Sequence, residues 1–551
     1  EARAVLSQTT GSEVDEATAV LLETQTEGWI IGLQLAGLSL REQPDQAAFA
    51  RAFLGRNHRL AMDFLLDEVL AHQPPAVLAF LLKTAVLERL CDALCQAVTG
   101  QESASEGPFL ASLAASGLFL VSLDEEGTWY RYHPLFRELL QRRLAQEYDQ
   151  AEIAALHQRA GAWLAEHGFT EAALRHLLAA GDVATAVTLI EDQRHEMLNQ
   201  GEMHRLHRWL GLLPEDVVAQ RPALLQLQAW ILRWQAKFQA IPALLLQAET
   251  LLADTTGTAV NNTVNRPMLQ GERDALRSEL AFFQNDFQRC LTFAQSALEH
   301  LPPHCFFASG LAALFALVGQ QSLGQTEIAL QTLNTWLIED RFQHYAAHYC
   351  LMLAAGAIYG MGGDLSRLEQ IGQHLLQLGL TKEYPLSITW ASHFLGHVYY
   401  QWNRLEEATA HWSTVSHWRY HANFLVYNDA MLGLALIYQS QGDDTQAQQT
   451  VDALTQAMLA ITQLQLAPQV ESFRARLALL RGDMSTAVYW LQTGERPARM
   501  SLWFWEANDL TRIKVLIAQG TAVSRQEADH LLTNCQQYAE ETTNVWLLIQ
   551  I

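Results

Sequence analysis

Four groups of residues in this sequence have the types and spacing for chemistry. His133 stands in WYRYHPLFRELLQRRL, residues 129–144, where a strand-like run meets a helix-like run, with Arg131, Arg137, Arg142 and Arg143 nearby. An imidazole there has two readings: it hydrogen-bonds a ligand such as a phosphate, or it satisfies backbone groups at a helix start beside Pro134. Cys91 and Cys95 are four apart in LCDALCQAV, but a metal needs two further ligands, and none follows at suitable spacing. The simpler reading is a pair of buried thiols. His344 and His348, four apart in RFQHYAAHY, share a helical face without a third ligand. With twenty histidines in the chain such pairs arise by chance, and no metal is expected. The fourth group is a stripe of Trp390, His393, His397 and Tyr400, spaced three, four and three apart on one helical face. Aromatic and imidazole groups there would stack on and hydrogen-bond a ligand or peptide, or else pack against the next helix.

Catalytic signatures are missing. There is no Gly-x4-Gly-Lys-Ser/Thr loop, no His-Glu-x-x-His, no Gly-x-Ser-x-Gly and no paired-cysteine motif, so no catalytic residue is expected. A net charge of −23 opposes binding to a phosphate backbone. No run of eighteen apolar residues appears, and six cysteines in 551 residues make no disulfide framework, which favours a cytoplasmic protein without a membrane partner.

The elements that must position these residues are nearly all helical, because Leu, Ala and Gln dominate and apolar residues recur at three and four. One strand pair stands out: LFLVSL (118–123) and TWYRYH (128–133) flank the turn DEEG. Short helical runs before it and PLFRELLQRRLAQEY after it give the order of a winged helix. Farther along, Cys290, Ala329, Leu368, Ala408, Ala447 and Ala487 recur every 39 or 40 residues, and Tyr359, Tyr399 and Tyr438 stand nine residues before Leu368, Ala408 and Ala447. The clearest unit is FLGHVYYQWNRLEEATAHWSTV, with Leu395, Gly396 and Tyr399 on its first helix and Ala408 and Trp412 on its second. This is a tetratricopeptide-like period, lengthened from the usual ~34 residues, and such pairs must stack to bury their faces. The expected fold is mostly α: a helical domain at 1–58, a winged-helix domain with one β-hairpin at 59–148, a helical linker or arm at 149–219, and a tetratricopeptide-like superhelical sensor at 220–551. The polar stretch 254–267 reads as a loop insertion.

The segments TEGWIIGLQLAGLSL, FLLDEVLAHQPPAVLAFLLKTAVLERLCDALCQAVTG and WYRYHPLFRELLQRRL, in this order, resemble the MalT-like large ATP-binding regulators of the LuxR type, which belong to the signal-transduction ATPases with numerous domains. The resemblance is almost continuous over 1–190, weaker through the repeats, and includes DLTRIKVLIAQG at 509–520. It implies an ATPase core before this chain and a DNA-binding helix-turn-helix after it. It also implies ADP or ATP with magnesium in the full-length protein, none being expected in this portion alone. The full-length protein would be a slow ATPase used as a switch. A small-molecule or protein inducer on the superhelix would favour nucleotide exchange and self-association. DNA would be bound only through the C-terminal domain. Gly28, Trp29 and Ile30 match the family's turn near adenine, where the third residue is often proline, so Ile30 departs from the pattern. His133 matches a winged-helix histidine that reaches the ADP β-phosphate in the closed state.

Competing readings are a stand-alone repeat scaffold for a peptide or protein, a switch with a different output, and direct DNA binding by the winged helix. The acidic DEEG wing tip opposes the last. The nucleotide role of His133 has a direct test. In protein carrying the ATPase core, His133→Ala is expected to loosen ADP and raise activity without inducer; wild-type ADP retention with a normal uninduced state would rule the role out.

Overall fold

The computed structural model describes residues 2–10, 13–26, 33, 37, 40, 73–100, 109–115, 120–253, 266–418, 424–460, 467–494 and 508–551. They form two compact units, Glu1–Leu189 and Ile190–Ile551. None of the described helices is long and apolar enough to cross a membrane.

The first unit opens with helices Ala2–Thr10 and Glu16–Thr26, joined by an apolar cluster that includes Leu6, Val14, Leu22, Leu33 and Leu40. The winged helix follows. Helices Pro75–Thr84, Asp92–Thr99 and Phe109–Ala115 precede strands β1 (Leu120–Ser122) and β2 (Tyr130–Tyr132), and helix Pro134–Glu147 closes the domain. The strands pair antiparallel, with Leu120 opposite Tyr132 and Ser122 opposite Tyr130. Alternation fixes the register: Tyr130 and Tyr132 are buried while Arg131 faces the other side. On the other edge of β2, Leu90 exchanges both backbone hydrogen bonds with Tyr130, at 2.7 and 2.8 Å. The DEEG turn works through its ends. The Asp124 carboxylate accepts from the Thr128 N–H at 2.9 Å, and Gly127 takes a left-handed φ of 66°.

The winged-helix core does not stop at the expected boundary of 148. Leu156, Ala160 and Leu164 of helix Gln150–Glu166, and Ala173 of helix Thr170–Ala179, join the same cluster as Leu81, Leu90, Phe136 and Leu140. The stretch expected as a linker from 149 to 219 therefore divides. Its first part completes the winged-helix core, and its part from Ile190 onward belongs to the repeat unit.

In the repeat unit, helix pairs follow one another. They include Arg266–Phe283 with Phe287–His300, Phe306–Ser322 with Thr326–Trp336, Tyr345–Met361 with Leu365–Thr381, Pro385–Gln401 with Leu405–His417, Phe424–Ser440 with Asp444–Ala460, and Ala467–Leu480 with Met484–Thr493. Each of the six residues that recur every 39 or 40 positions is the fourth residue of a second helix, and each is fully buried. The turns inside the pairs share a device. Asn285, Gly363, Gly442 and Gly482 take left-handed conformations, and the Asp that follows each accepts a hydrogen bond from the backbone N–H three residues on. Pro222–Trp234 and Ile241–Ala253 form an earlier pair. Of the expected insertion, 254–265 lies outside the described residues, and Arg266 and Pro267 open a helix. DLTRIKVLIAQG forms helix Asn508–Gln519, ended by left-handed Gly520. After helix Ala522–Glu541 the chain returns: the Gln321 amide donates to the Thr542 carbonyl at 3.2 Å and to the Thr543 hydroxyl at 2.9 Å.

The Trp412 indole shows how closely the pairs approach. A Cβ added at Gly396 would lie 2.4 Å from its Nε1, and one added at Gly433 would lie 2.7 Å from the far edge of the ring. Gly396→Ala is expected to cost at least ~1–3 kcal/mol by overpacking, read as a lowered urea midpoint; an unchanged midpoint would deny this packing. A second test concerns the first unit, where His157 Nδ1 and His176 Nδ1 lie 2.9 Å apart. Burial, His157 and Arg137 push the His176 pKa down to about 4. The folded state keeps this imidazole neutral while the unfolded chain protonates it below about 6.5. Stability is thus present above that pH and is lost as pH falls toward 4, by up to ~3 kcal/mol. His176→Gln should flatten this part of the pH–stability curve, and an unchanged slope would remove His176 as its cause.

Candidate functional site

The first helices of successive pairs converge on a cavity that leaves about 110 Å³ for the centres of water-sized molecules. Its walls follow helical periodicity. Phe307, Leu311 and Phe315 come from one helix, Tyr349, Leu353 and Ala357 from the next, and Trp390, His393 and Phe394 from the third. Helix Pro222–Trp234 adds Arg233, and helix Arg266–Phe283 adds Glu279 and Phe283.

Two polar contacts interrupt these apolar walls. Arg233 donates a short hydrogen bond to the Glu279 carboxylate, and its guanidinium lies 5.7 Å from the Phe307 ring centroid. Burial opposes both charges and raises the Glu279 pKa; at Arg233 the neighbouring carboxylate outweighs burial and holds the guanidinium above its ordinary value. The direct contact and the guanidinium's always-charged character make it an ion pair. The second involves His393, whose Nδ1 lies 3.5 Å from Asp429 Oδ2, both groups being buried. Burial pushes the His393 pKa down to about 3, so this is a contact of a neutral imidazole rather than an ion pair. The cavity therefore presents a strong donor–acceptor pair at Arg233 and Glu279, a neutral imidazole at His393, and aromatic faces between them. That set suits a small molecule with an apolar or aromatic body and a few hydrogen-bonding groups.

The expected stripe on helix Pro385–Gln401 divides. Trp390 and His393 line the cavity, their rings edge to face at 5.7 Å between centroids. His397, one turn on, is 1% exposed and faces Trp546 of helix Val545–Gln550, with centroids 6.5 Å apart. Tyr400 lies against Trp412 at 5.8 Å, away from the cavity lining. His344 and His348 turn to different partners. The first accepts from the Ala346 N–H and stacks on Phe306 at 4.1 Å, while the second meets His374 at 3.0 Å between Nε2 atoms. Cys95 is buried and Cys91 half-buried.

His133 is 6% exposed and stands at the start of helix Pro134–Glu147, where its side chain makes no capping hydrogen bond. Trp29 and Ile30 lie outside the described residues. The arginines near His133 have separate duties. Arg137 donates from Nε to the Ala85 carbonyl at 3.2 Å, so it closes the C-terminus of helix Pro75–Thr84. Arg142 and Arg143 pair with Glu138 and Glu147 one turn away. Arg233 and Glu279 were not anticipated. Their signal in the sequence is a single charge inside an apolar run, WILRW for one and ELAFF for the other.

Residues 66–152 match the MalT winged helix domain, and residues 271–551 match the MalT-like TPR region. Among solved structures, a signal-transduction ATPase with numerous domains carrying a tetratricopeptide repeat sensor, from Pyrococcus horikoshii, is similar in fold. The TM-score is 0.50 at 16% identity, over 89% of this chain and 71% of that one. With the repeat match spanning just over half of the sequence, and a MalT-type winged helix ahead of it, the chain belongs to the MalT-like TPR family.

Proposed function

We propose that this chain is the sensor portion of a signal-transduction ATPase that regulates transcription, and that its inducer is a small molecule held in the cavity of the repeat unit. The observation that carries this reading is the cavity itself. It is apolar and lined by helices from successive repeats, with the Arg233–Glu279 pair and His393 in its walls. A ligand touching all of these helices has a different interaction energy with each packing of the array, which is what a sensor requires. The proposed output is self-association and promoter binding through a helix-turn-helix domain, with nucleotide exchange in an ATPase core. The described residues do not by themselves fit ADP or ATP. Of the residues expected near the nucleotide only His133 is described, it is largely buried, and the sequence has no phosphate-cradling loop. A stand-alone peptide scaffold accounts less well for the winged helix.

The test begins with a metabolite panel, scored by thermal shift on the purified chain. Ala357→Phe, which fills the cavity, is expected to abolish the shift from a hit, and His393→Ala to weaken its binding at least ~10-fold, the loss of about 1.4 kcal/mol. Tyr400→Phe should leave the affinity unchanged. A hit bound equally by wild type and Ala357→Phe would move the inducer site elsewhere.

A further inference from the structure

A second cluster lies apart from the cavity lining, and nothing in the proposed function uses it. His195 comes from helix Val183–Gln200, Glu272 from helix Arg266–Phe283, and Cys305 is the residue just before helix Phe306–Ser322. All three are buried, at 8%, 0% and 1% exposure. One donor atom from each lies within 4.8 Å of the others, the one such group of His, Cys, Asp and Glu among the described residues. His195 Nε2 is 3.0 Å from Glu272 Oε1, and Cys305 Sγ is 3.4 Å from His195 Nδ1.

Ordinary pairing does not account for this arrangement. Arg194 holds only the other carboxylate oxygen, Nη1 donating to Oε2 at 2.8 Å. Oε1 and the facing Nε2 make no aligned hydrogen bond, with each other or with anything else, although both are buried. Leaving two such atoms facing each other is costly for a pair and normal for two ligands of one ion. Tetrahedral zinc separates nitrogen and oxygen ligands by ~3.3 Å, within a few tenths of the Nε2–Oε1 distance, and the 4.8 Å that bounds all three donor atoms leaves the sulfur to close in by a small movement.

We propose that Cys305, His195 and Glu272 form a three-ligand site for a thiophilic divalent cation, zinc being the one that suits the donors. Sulfur and imidazole select against magnesium and calcium, which take oxygen ligands. One thiolate and one carboxylate neutralise the dication. Arg194 serves as the outer hydrogen bond that orients the carboxylate. The two contacts use different ring nitrogens, so a rotation of the Cys305 side chain, or a flip of the imidazole, closes the triangle, and solvent supplies the fourth ligand. On binding, the Cys305 S–H bond breaks, the sulfur keeps the electron pair and bonds the metal, and the proton leaves to solvent. Affinity therefore rises with pH. The ion would staple three helices at the entry to the repeat unit.

The experiment is a titration of the chelator-treated full chain with cobalt(II), followed by displacement with zinc. A thiolate-to-cobalt charge-transfer band is expected at stoichiometric metal, and it should disappear on adding zinc. Cys305→Ser should lose the band and bind at least ~100-fold more weakly, while Cys290→Ser, at a buried thiol elsewhere, should keep both. His195→Gln is the second variant, should Cys305→Ser fail to fold by circular dichroism. The proposal is overturned by no charge-transfer band in the folded wild type, by a band that survives both Cys305→Ser and His195→Gln, or by one that depends on Cys290.

Discussion

The repeat unit rests on one steric constraint: neighbouring helices must come close enough to exclude water, and only particular residues permit it. The fourth residue of each second helix meets this need, five of the six being Cys or Ala. Where a large side chain enters, glycine makes room, as at Gly396 and Gly433 on either side of Trp412. That one ring touches the first helices of two successive pairs, so neither pair completes its core alone. It follows that first helices, flanked before and after, are buried nearly all round. Helix Tyr345–Met361 shows this, with fourteen of its seventeen residues buried.

A polar group on such a helix cannot turn to water and must find a partner on a neighbour. The structure shows this repeatedly. Arg233 reaches Glu279 on the next first helix, His393 reaches Asp429, and Asn428 donates to Gln469 at 3.2 Å on the one after that. Of these groups Arg233, Glu279 and His393 line the cavity and supply its polarity. They also make its polarity a property of packing between repeats, since each partner sits on a different helix. A shift of one helix against the next changes what the cavity offers a ligand, and by reciprocity a ligand that prefers one arrangement biases the shift.

Much of this was legible, for local reasons. The period of 39 or 40 reflects the small fourth residue, a requirement any single pair must meet, and the hairpin follows from alternation and a glycine turn. The recurrent Asn-Asp or Gly-Asp turn is equally local, spelled at 285–286, 363–364, 442–443 and 482–483. Other features depend on residues far apart in sequence. No local pattern reveals that helices Gln150–Glu166 and Thr170–Ala179 complete the winged-helix core, or that Thr542 and Thr543 return to Gln321. The stripe Trp390, His393, His397 and Tyr400 was correctly grouped on one helix, but spacing cannot say what each residue faces. The cluster of His195, Glu272 and Cys305 gathers residues that no spacing rule connects.

That division of the stripe has a mechanical consequence. His393 lines the cavity, and His397, one turn along the same rigid helix, meets Trp546 of the last helix. Both imidazoles are held neutral by burial, so neither contact depends on a charge that solvent would screen. A helix transmits displacement along its axis because its backbone hydrogen bonds resist local bending. A ligand that moves Trp390 and His393 therefore also moves His397, and with it the surface on which Trp546 sits. The coupling needs no long chain of intermediates: a single turn of one helix separates the group that would sense the ligand from the group that holds the returning C-terminal segment.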